Sequence, residues 1–477
     1  MTNQSVIAID QGTTGTKVHR LHRDGSFATL GGFEHRQIFP QAGWVEHDPE
    51  ELIGHIESCI ALGNDAAAIG LDNQGETVIA WDSKTKQPIY NAIVWQDART
   101  EGEIQRLKAA GAESETLQRA GLPLDPYFSA SKLRWLLDHV PEAQALRKEG
   151  RLQLGTSDAY FLDRLAGRAV TDVTTASRTS LMNLETLSWD PALCALFGVP
   201  MECLPEIVST TGTLAEIGGV PVTASMVDQQ AALFGHGCRR RGDAKITFGT
   251  GAFALAIAGD KPLREAASGL LPTIAWRIGD APCTYALDGG VYNAASAINW
   301  ARGLGLFKNY GEIARFDAAS AISRNLAFVP ALSGLGCPYW DRSAAGLWLG
   351  LGLETSKADM MQALLEGIAL RAGELLRAMA KLVPVAERLS IDGGVTRNDY
   401  FCDFLASVLG RELTVPSTAE LTGLGAAQFA LIGAGLATLD TLPPAPPASR
   451  IVKAPAPLAA DLIAKFADAV ARCRNWR

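Results

Sequence analysis

Two acidic residues in this chain stand where phosphoryl chemistry would need them. Asp10 ends an apolar run and opens the loop Gln11-Gly12-Thr13-Thr14-Gly15-Thr16-Lys17. Small and hydroxylated residues let backbone N–H groups and Thr hydroxyls close around a phosphate, and an acid at a strand end can hold hydrated Mg²⁺. Lys17 could meet the charge that develops on a transferred group. The spacing is not that of the G-x-x-x-x-G-K-[ST] loop, and the same composition also suits a plain hairpin turn. Asp228 lies beside Gln229 in VDQQAALFG, where an apolar run turns into a small-residue helix. A carboxylate there can orient a hydroxyl and take its proton, and Gln229 can bind a neighbouring hydroxyl. An ordinary helix N-cap would use the same Asp.

Further clusters suit a polyol and a nucleotide. Glu76 in NQGET, Trp95 in VWQDART and Tyr127 in DPYFS supply an acceptor and aromatic faces for a hydroxylated ligand, although each would also suit a core or rim. The turns FGTGAF (Gly249 to Phe253) and DGGVTRN (Asp392 to Asn398) follow strand-like runs, where glycine lets the backbone come close to a phosphate or a base. His47, in GWVEHDP, has no visible partner and reads as a surface or capping residue.

The elements that must hold these residues follow from periodicity. SVIAID reads as a buried strand followed by a Gly/Thr turn and a second strand, VHRLHRDG. KITFGTGAFALAIAGD repeats that strand–turn–strand unit about half a chain later, and LSIDGGVTRNDYFCDFLASVLG adds a strand, a Gly-Gly turn and an amphipathic helix. Residues 48–63 have helical spacing, with Asp48 as N-cap and Pro49 in the first turn. NAIVWQDART reads as a strand running into a loop, and residues 441–457, rich in Pro and Ala, as an extended surface segment before a C-terminal helix. The weak duplication favours two related α/β domains, 1–240 and 241–477, joined by the charged CRRRGD stretch.

Composition narrows the function class. A net charge of −8 offers no basic footprint for nucleic acid or anionic membrane. No apolar run is long enough to span a bilayer, and the opening MTNQSVIAID lacks a signal-peptide pattern, so a cytoplasmic protein is expected. The eight cysteines form no CxxC pair and read as reduced, mostly buried thiols.

Taken in order, DQGTTGTK, GWVEHDPEEL, NQGETVIAWD, PIYNAIVWQDART, DPYFSASKLRWLLD, VTDVTTASRTSLMNLETLSWD, DQQAALFG, KITFGTGAFAL, GLGCPYWD and DGGVTRND resemble the glycerol kinase group of the FGGY carbohydrate kinase family over some nine-tenths of the chain. The resemblance implies two ribonuclease-H-like (actin-like ATPase) domains with ATP, Mg²⁺ and a small polyol meeting in the interdomain cleft. It implies Asp228 as general base, and Gly75, Glu76, Trp95, Tyr127, Gln229 and Phe253 at the polyol. Thr13, Thr14, Lys17, Thr250, Asn299, Gly394 and Asn398 would contact nucleotide, Asn299 standing where the group has Gln, and Asp10 would lie near Mg²⁺. The expected reaction is glycerol to glycerol 3-phosphate, by a protein that could assemble as a homodimer or homotetramer. A non-enzymatic actin-like module or sugar-responsive regulator would have no use for Asp10, Glu76 and Asp228 together.

Three positions depart from the pattern. The group has Arg where this chain has Gly75, TTSSR where it has TTGTK, and Gly where it has Val227. The missing guanidinium would leave a longer cavity, which makes a kinase for a four- or five-carbon polyol or ketose the alternative, unless a nearby side chain such as Arg99 replaces the donor.

Overall fold

The computed structural model describes residues 5–265 and 268–477; residues 1–4, part of the segment searched for a leader, lie outside that range. Two mixed sheets organise the chain. The first has six strands in the order Thr211–Ile217, Val220–Val227, Ile69–Asn73, Ser5–Gln11, Gly15–His22, Phe27–Glu34. The second has seven, in the order Leu271–Trp276, Thr284–Val291, Ala252–Gly259, Ala244–Phe248, Arg388–Asp392, Glu412–Pro416, Ala448–Val452.

The duplication glimpsed in the sequence is topological. Ser5–Gln11 pairs antiparallel with the next strand and parallel with Ile69–Asn73, which is itself parallel to Val220–Val227. Ala244–Phe248 likewise pairs antiparallel with its successor and parallel with Arg388–Asp392, which is parallel to Glu412–Pro416. Each sheet therefore sends several carboxyl-terminal strand ends in one direction. In open α/β sheets ligands bind beyond those ends. Asp10, Asp72, Val227, Thr247 and Asp392 all lie at or next to such ends.

Local chemistry explains the elements. Val6, Ile7, Ala8 and Ile9 are all buried, as a central strand covered on both faces requires. The helix Pro49–Leu62 begins as its sequence predicts, with the Asp48 carboxylate accepting from the Glu50 amide at 2.9 Å. The helix Leu421–Gly433 lies against Asp228–Gly235 and the first sheet. A Cβ at Gly425 would fall 1.8 Å from the Ala231 carbonyl, so only glycine allows this approach. Phe234, Trp276 and Phe429 close that junction, with ring centroids 3.9–5.9 Å apart.

Two expectations need correction. The NAIVWQDART segment contributes only the two-residue strand Ala92–Ile93 before its loop. Part of the 441–457 segment, Ala448–Val452, is an edge strand pairing antiparallel with Glu412–Pro416, because the prolines flank the run ASRIV without interrupting it and leave its amides free to pair. All eight cysteines are free and buried. Among the described residues no helix is long and apolar enough to cross a membrane.

Candidate active site

Asp228 opens the helix Asp228–Gly235 at its first helical position, with Val227 as the N-cap, and its carboxylate accepts from the Gln229 amide. Parallel pairing sets Val227 opposite Asn73, so Asp228 comes out beside the Gln74–Glu76 turn. Burial, then the charges of Asp10 and Glu76, push the Asp228 carboxyl up to about 7, with Lys245 pulling the other way. A carboxylate poised near neutrality can both hold and release a proton.

A cavity of about 170 Å³ opens above it. Glu76, Trp95, Tyr127, Gln229 and Phe253 line it, as expected, together with Thr13 and Thr250 from the two Gly/Thr turns. Trp95 packs edge-on against Tyr127 and Phe253, at 5.7 and 6.3 Å between centroids, and its indole N–H donates to Thr13 Oγ1 at 3.0 Å. One wall is thus aromatic and tied directly to the phosphate-type loop. Buried Lys132 donates to the Pro126 and Tyr127 carbonyls at 3.1 and 2.6 Å and fixes the turn that presents Tyr127. Burial lowers its ammonium to about 8.

Charged groups complete the lining. Arg178 donates through Nε to Glu76 Oε1 at 2.6 Å, and its Nη2 lies 3.0 Å from Asp288 Oδ2. Lys245 Nζ donates to Gln229 Oε1 at 2.6 Å and to Thr247 Oγ1 at 2.9 Å. With its carbonyl oxygen taken, Gln229 has its NH₂ donors left for a ligand. Sequence reasoning missed Arg178, Asp288 and Lys245; only the quoted VTDVTTASRTS segment carried a trace of the first.

The residue-75 expectation is overturned. Gly75 is buried at φ +49°, and a Cβ there would lie 3.1 Å from Val227 Cγ1. Val227 lines the cavity and Gly75 does not, so the space beside Gly75 is occupied and the cavity is not lengthened at that point. Nor does Arg99 swing in. It is held by Asp97 and Glu46 at 2.8 and 2.7 Å and stacked on Trp44. His47 is likewise no surface residue: it is fully buried, between Gln37 Oε1 at 3.0 Å and the Gln74 amide at 3.2 Å. Burial, then His35, lowers it to about 3, so it supports Gln74 as a neutral ring.

Beneath the cavity, Asp10 pairs in register with Asp72 on the neighbouring strand. Burial pushes Asp10 up to about 6 and, with Asp10 and Asp228 nearby, holds Asp72 well above the usual carboxylate range. Both Asp72 oxygens are buried and meet no amide or hydroxyl donor. Such a hard-oxygen set fits a hydrated divalent cation. Asp10 also shares a corner with His19 and Glu420, where Lys17 donates to Glu420 at 3.0 Å. Lys17 and Thr14 are exposed and lie outside the cavity linings.

Asn299, Gly394 and Asn398 meet in a second cavity of about 340 Å³, lined also by Ala295, Ile298, Ile313, Ala314 and Val395. Asn398 caps the helix Asp399–Leu409 by accepting from the Phe401 amide at 2.8 Å and donates to the Ile313 carbonyl at 2.7 Å. An apolar slot rimmed by amides suits a flat base.

Known proteins fit this arrangement. Residues 5–235 match the N-terminal domain, and residues 244–434 the C-terminal domain, of the FGGY family of carbohydrate kinases. The chain is 42% identical over 454 residues to glycerol kinase of Myxococcus xanthus, covering 90% of this chain and 91% of that one. It is 40% identical over 454 residues to glycerol kinase of Chromobacterium violaceum, covering 91% and 90%. The crystal structure of Plasmodium falciparum glycerol kinase with ADP superposes with a TM-score of 0.88 at 29% identity, over 98% of each chain. Gluconate kinase from Lactobacillus acidophilus, at 23% identity and a TM-score of 0.86, shares the fold over 98% of this chain and 96% of that one. The chain belongs to the FGGY family of carbohydrate kinases and is an ATP-dependent kinase with the family's two-domain actin-like fold.

Proposed function

We propose that the chain transfers the terminal phosphoryl group of ATP to a primary hydroxyl of glycerol, giving glycerol 3-phosphate. The observation that carries this is the small cavity over Asp228, which Trp95, Tyr127 and Phe253 line together with Glu76, Arg178 and Gln229. At about 170 Å³ it is below the ~300–1,000 Å³ of typical drug-sized pockets, which suits a small polyol. The names of the relatives at 40–42% identity point the same way.

In this reading Asp228 accepts the hydroxyl proton as the substrate oxygen bonds to phosphorus and ADP leaves. Glu76 accepts from a second hydroxyl, the Gln229 amide donates, and Trp95, Tyr127 and Phe253 cover the C–H face. The thermal barrier is lowered chiefly by position and charge, since phosphoryl transfer asks for little covalent help. Mg²⁺ would be held by Asp10 with Asp72 and Asp228 close by, and when bound it neutralises phosphate charge. Thr13, Thr14, Lys17 and Thr250 would meet the phosphates, and Asn299, Gly394 and Asn398 the rest of the nucleotide. The division at residues 240/241, with polyol and phosphate binding on the first side and nucleotide on the second, belongs to the same proposal. So does a cytoplasmic setting, which eight free buried thiols suit.

Phosphorus NMR of a reaction containing MgATP and glycerol tests it. Stoichiometric ADP and glycerol 3-phosphate are expected; ADP with inorganic phosphate alone would contradict it.

A further inference from the structure

Arg178 is set in the turn after the short helix Val173–Ala176, and its side chain is 3% exposed. Two of its three guanidinium nitrogens are spoken for, Nε by Glu76 and Nη2 by Asp288. The third, Nη1, is buried and has no hydrogen-bond partner. The residue lines the cavity over Asp228, with its Cζ 5.8 Å from the Tyr127 ring centroid. A buried guanidinium N–H without an acceptor is costly, and native structures seldom tolerate one unless a ligand completes it.

The charge around it defines that ligand. Glu76 and Asp288 already pair with the guanidinium, so Nη1 calls for no further carboxylate, whereas a neutral hydroxyl oxygen could accept from Nη1 and donate to Glu76. Neighbouring donor and acceptor groups of this kind match one hydroxyl of a polyol.

Gly75 and Val227 fix the shape at this end. Gly75 sits in the left-handed region at φ +49°, its amide donates to Asn73 Oδ1 at 3.0 Å, and its carbonyl accepts from the Thr77 amide. Any side chain at 75 meets both that backbone conformation and Val227 Cγ1, 3.1 Å from its Cβ. Val227 in turn is 3% exposed and forms part of the cavity lining. The two positions where the chain departs most from the resembling group are thus one contact.

We infer that Arg178 is a specificity-determining residue that recognises the substrate hydroxyl farthest from the phosphorylated one, and that Val227 and Gly75 act as a matched pair closing the pocket around it. This rests on the polyol reading above. Val227 fills the volume that a side chain at position 75 would need.

The test crosses an enzyme change with a substrate change. Propane-1,2-diol keeps a primary hydroxyl to phosphorylate and carries a methyl in place of the far hydroxyl. For Arg178→Lys, kcat/KM with glycerol is expected to fall roughly 10- to 100-fold, the worth of a charge-assisted bond. The kcat/KM of propane-1,2-diol, or its inhibition constant against glycerol if turnover is too slow, should change by less than about threefold. Equal losses for both ligands would mean that Arg178 only neutralises Glu76 and Asp288, and would overturn the assignment. A second cycle reads the matched pair without touching Arg178. Gly75→Arg should lower glycerol kcat/KM at least tenfold, and adding Val227→Gly should recover most of it; a double variant no better than the single one would sink the pairing. If wild-type enzyme phosphorylates no polyol at all, the functional reading fails first, whereas efficient glycerol turnover with additive cycles removes this inference alone.

Discussion

The two cavities solve opposite recognition problems. The one over Asp228 is about 170 Å³ and bounded by interlocked charges, with Arg178 between Glu76 and Asp288, and Lys245 between Gln229 and Thr247. The one at Asn299 and Gly394 is about twice that size, lined by Ala295, Ile298, Ile313, Ala314 and Val395 together with Tyr310 and Arg397, and open enough that both Asn299 and Gly394 are exposed. Hydroxyl groups differ in where they donate and accept, so a polar pocket with fixed partners discriminates among them strongly. A flat base offers mainly area, and an apolar slot discriminates weakly by shape. Sensitivity to substitution should therefore be steep on the polar side and shallow on the apolar side.

The largest effect is expected at Asp228. Asp228→Asn should cut kcat by about 10²–10⁴ while leaving the dissociation constant for ATP within a few-fold of wild type. Rapid-quench turnover and fluorescence titration of a nucleotide analogue would measure the two. Equal losses in both would erase the contrast between the cavities.

A smaller effect comes from pH. Burial, then Asp10 and Glu76, raises the Asp228 carboxyl to about 7, so the base form fills as pH rises through that value. Polyol kcat/KM should fall about tenfold per unit below it and level off above it. ATP affinity in the apolar cavity should show no step there. A polyol profile flat from pH 5.5 to 8 would speak against Asp228 as the titrating base.

The smallest change belongs to Asn299→Ala. Asn299 is exposed and accepts from the Tyr310 hydroxyl at a long 3.3 Å, so loss of its amide should raise the KM for ATP by about twofold and leave the polyol KM alone. A tenfold rise would show that the apolar side recognises the base far more sharply than its lining suggests.

What could be seen in the sequence was whatever lies within one segment. Asp10 and Asp228 each follow an apolar run directly, and Glu76, Trp95 and Tyr127 each sit in short motifs, so their type and neighbours announced them. Arg178 could not be placed this way. Its partners are 102 residues before it, in a turn, and 110 after it, on the strand Thr284–Val291, and only the assembled site brings them together. Gly75 misled for a related reason. Read alone it marks a missing side chain, but parallel pairing of Asn73 with Val227 puts a valine methyl where that side chain would begin. His47 misled because its partners Gln37 and Gln74 lie on separate segments. The edge strand Ala448–Val452 was hidden by flanking prolines that mark extended chain but not its pairing.

The central claim is a pocket over Asp228 that selects a three-carbon polyol, and steady-state phosphorylation of a graded set of substrates measures it most directly. With saturating MgATP, ADP release would be followed over glycerol, erythritol, ribitol, xylitol, xylulose and ribulose. Glycerol is expected to give the highest kcat/KM, with at least a tenfold drop on adding one carbon. A four- or five-carbon substrate turned over with higher kcat/KM than glycerol would contradict the account.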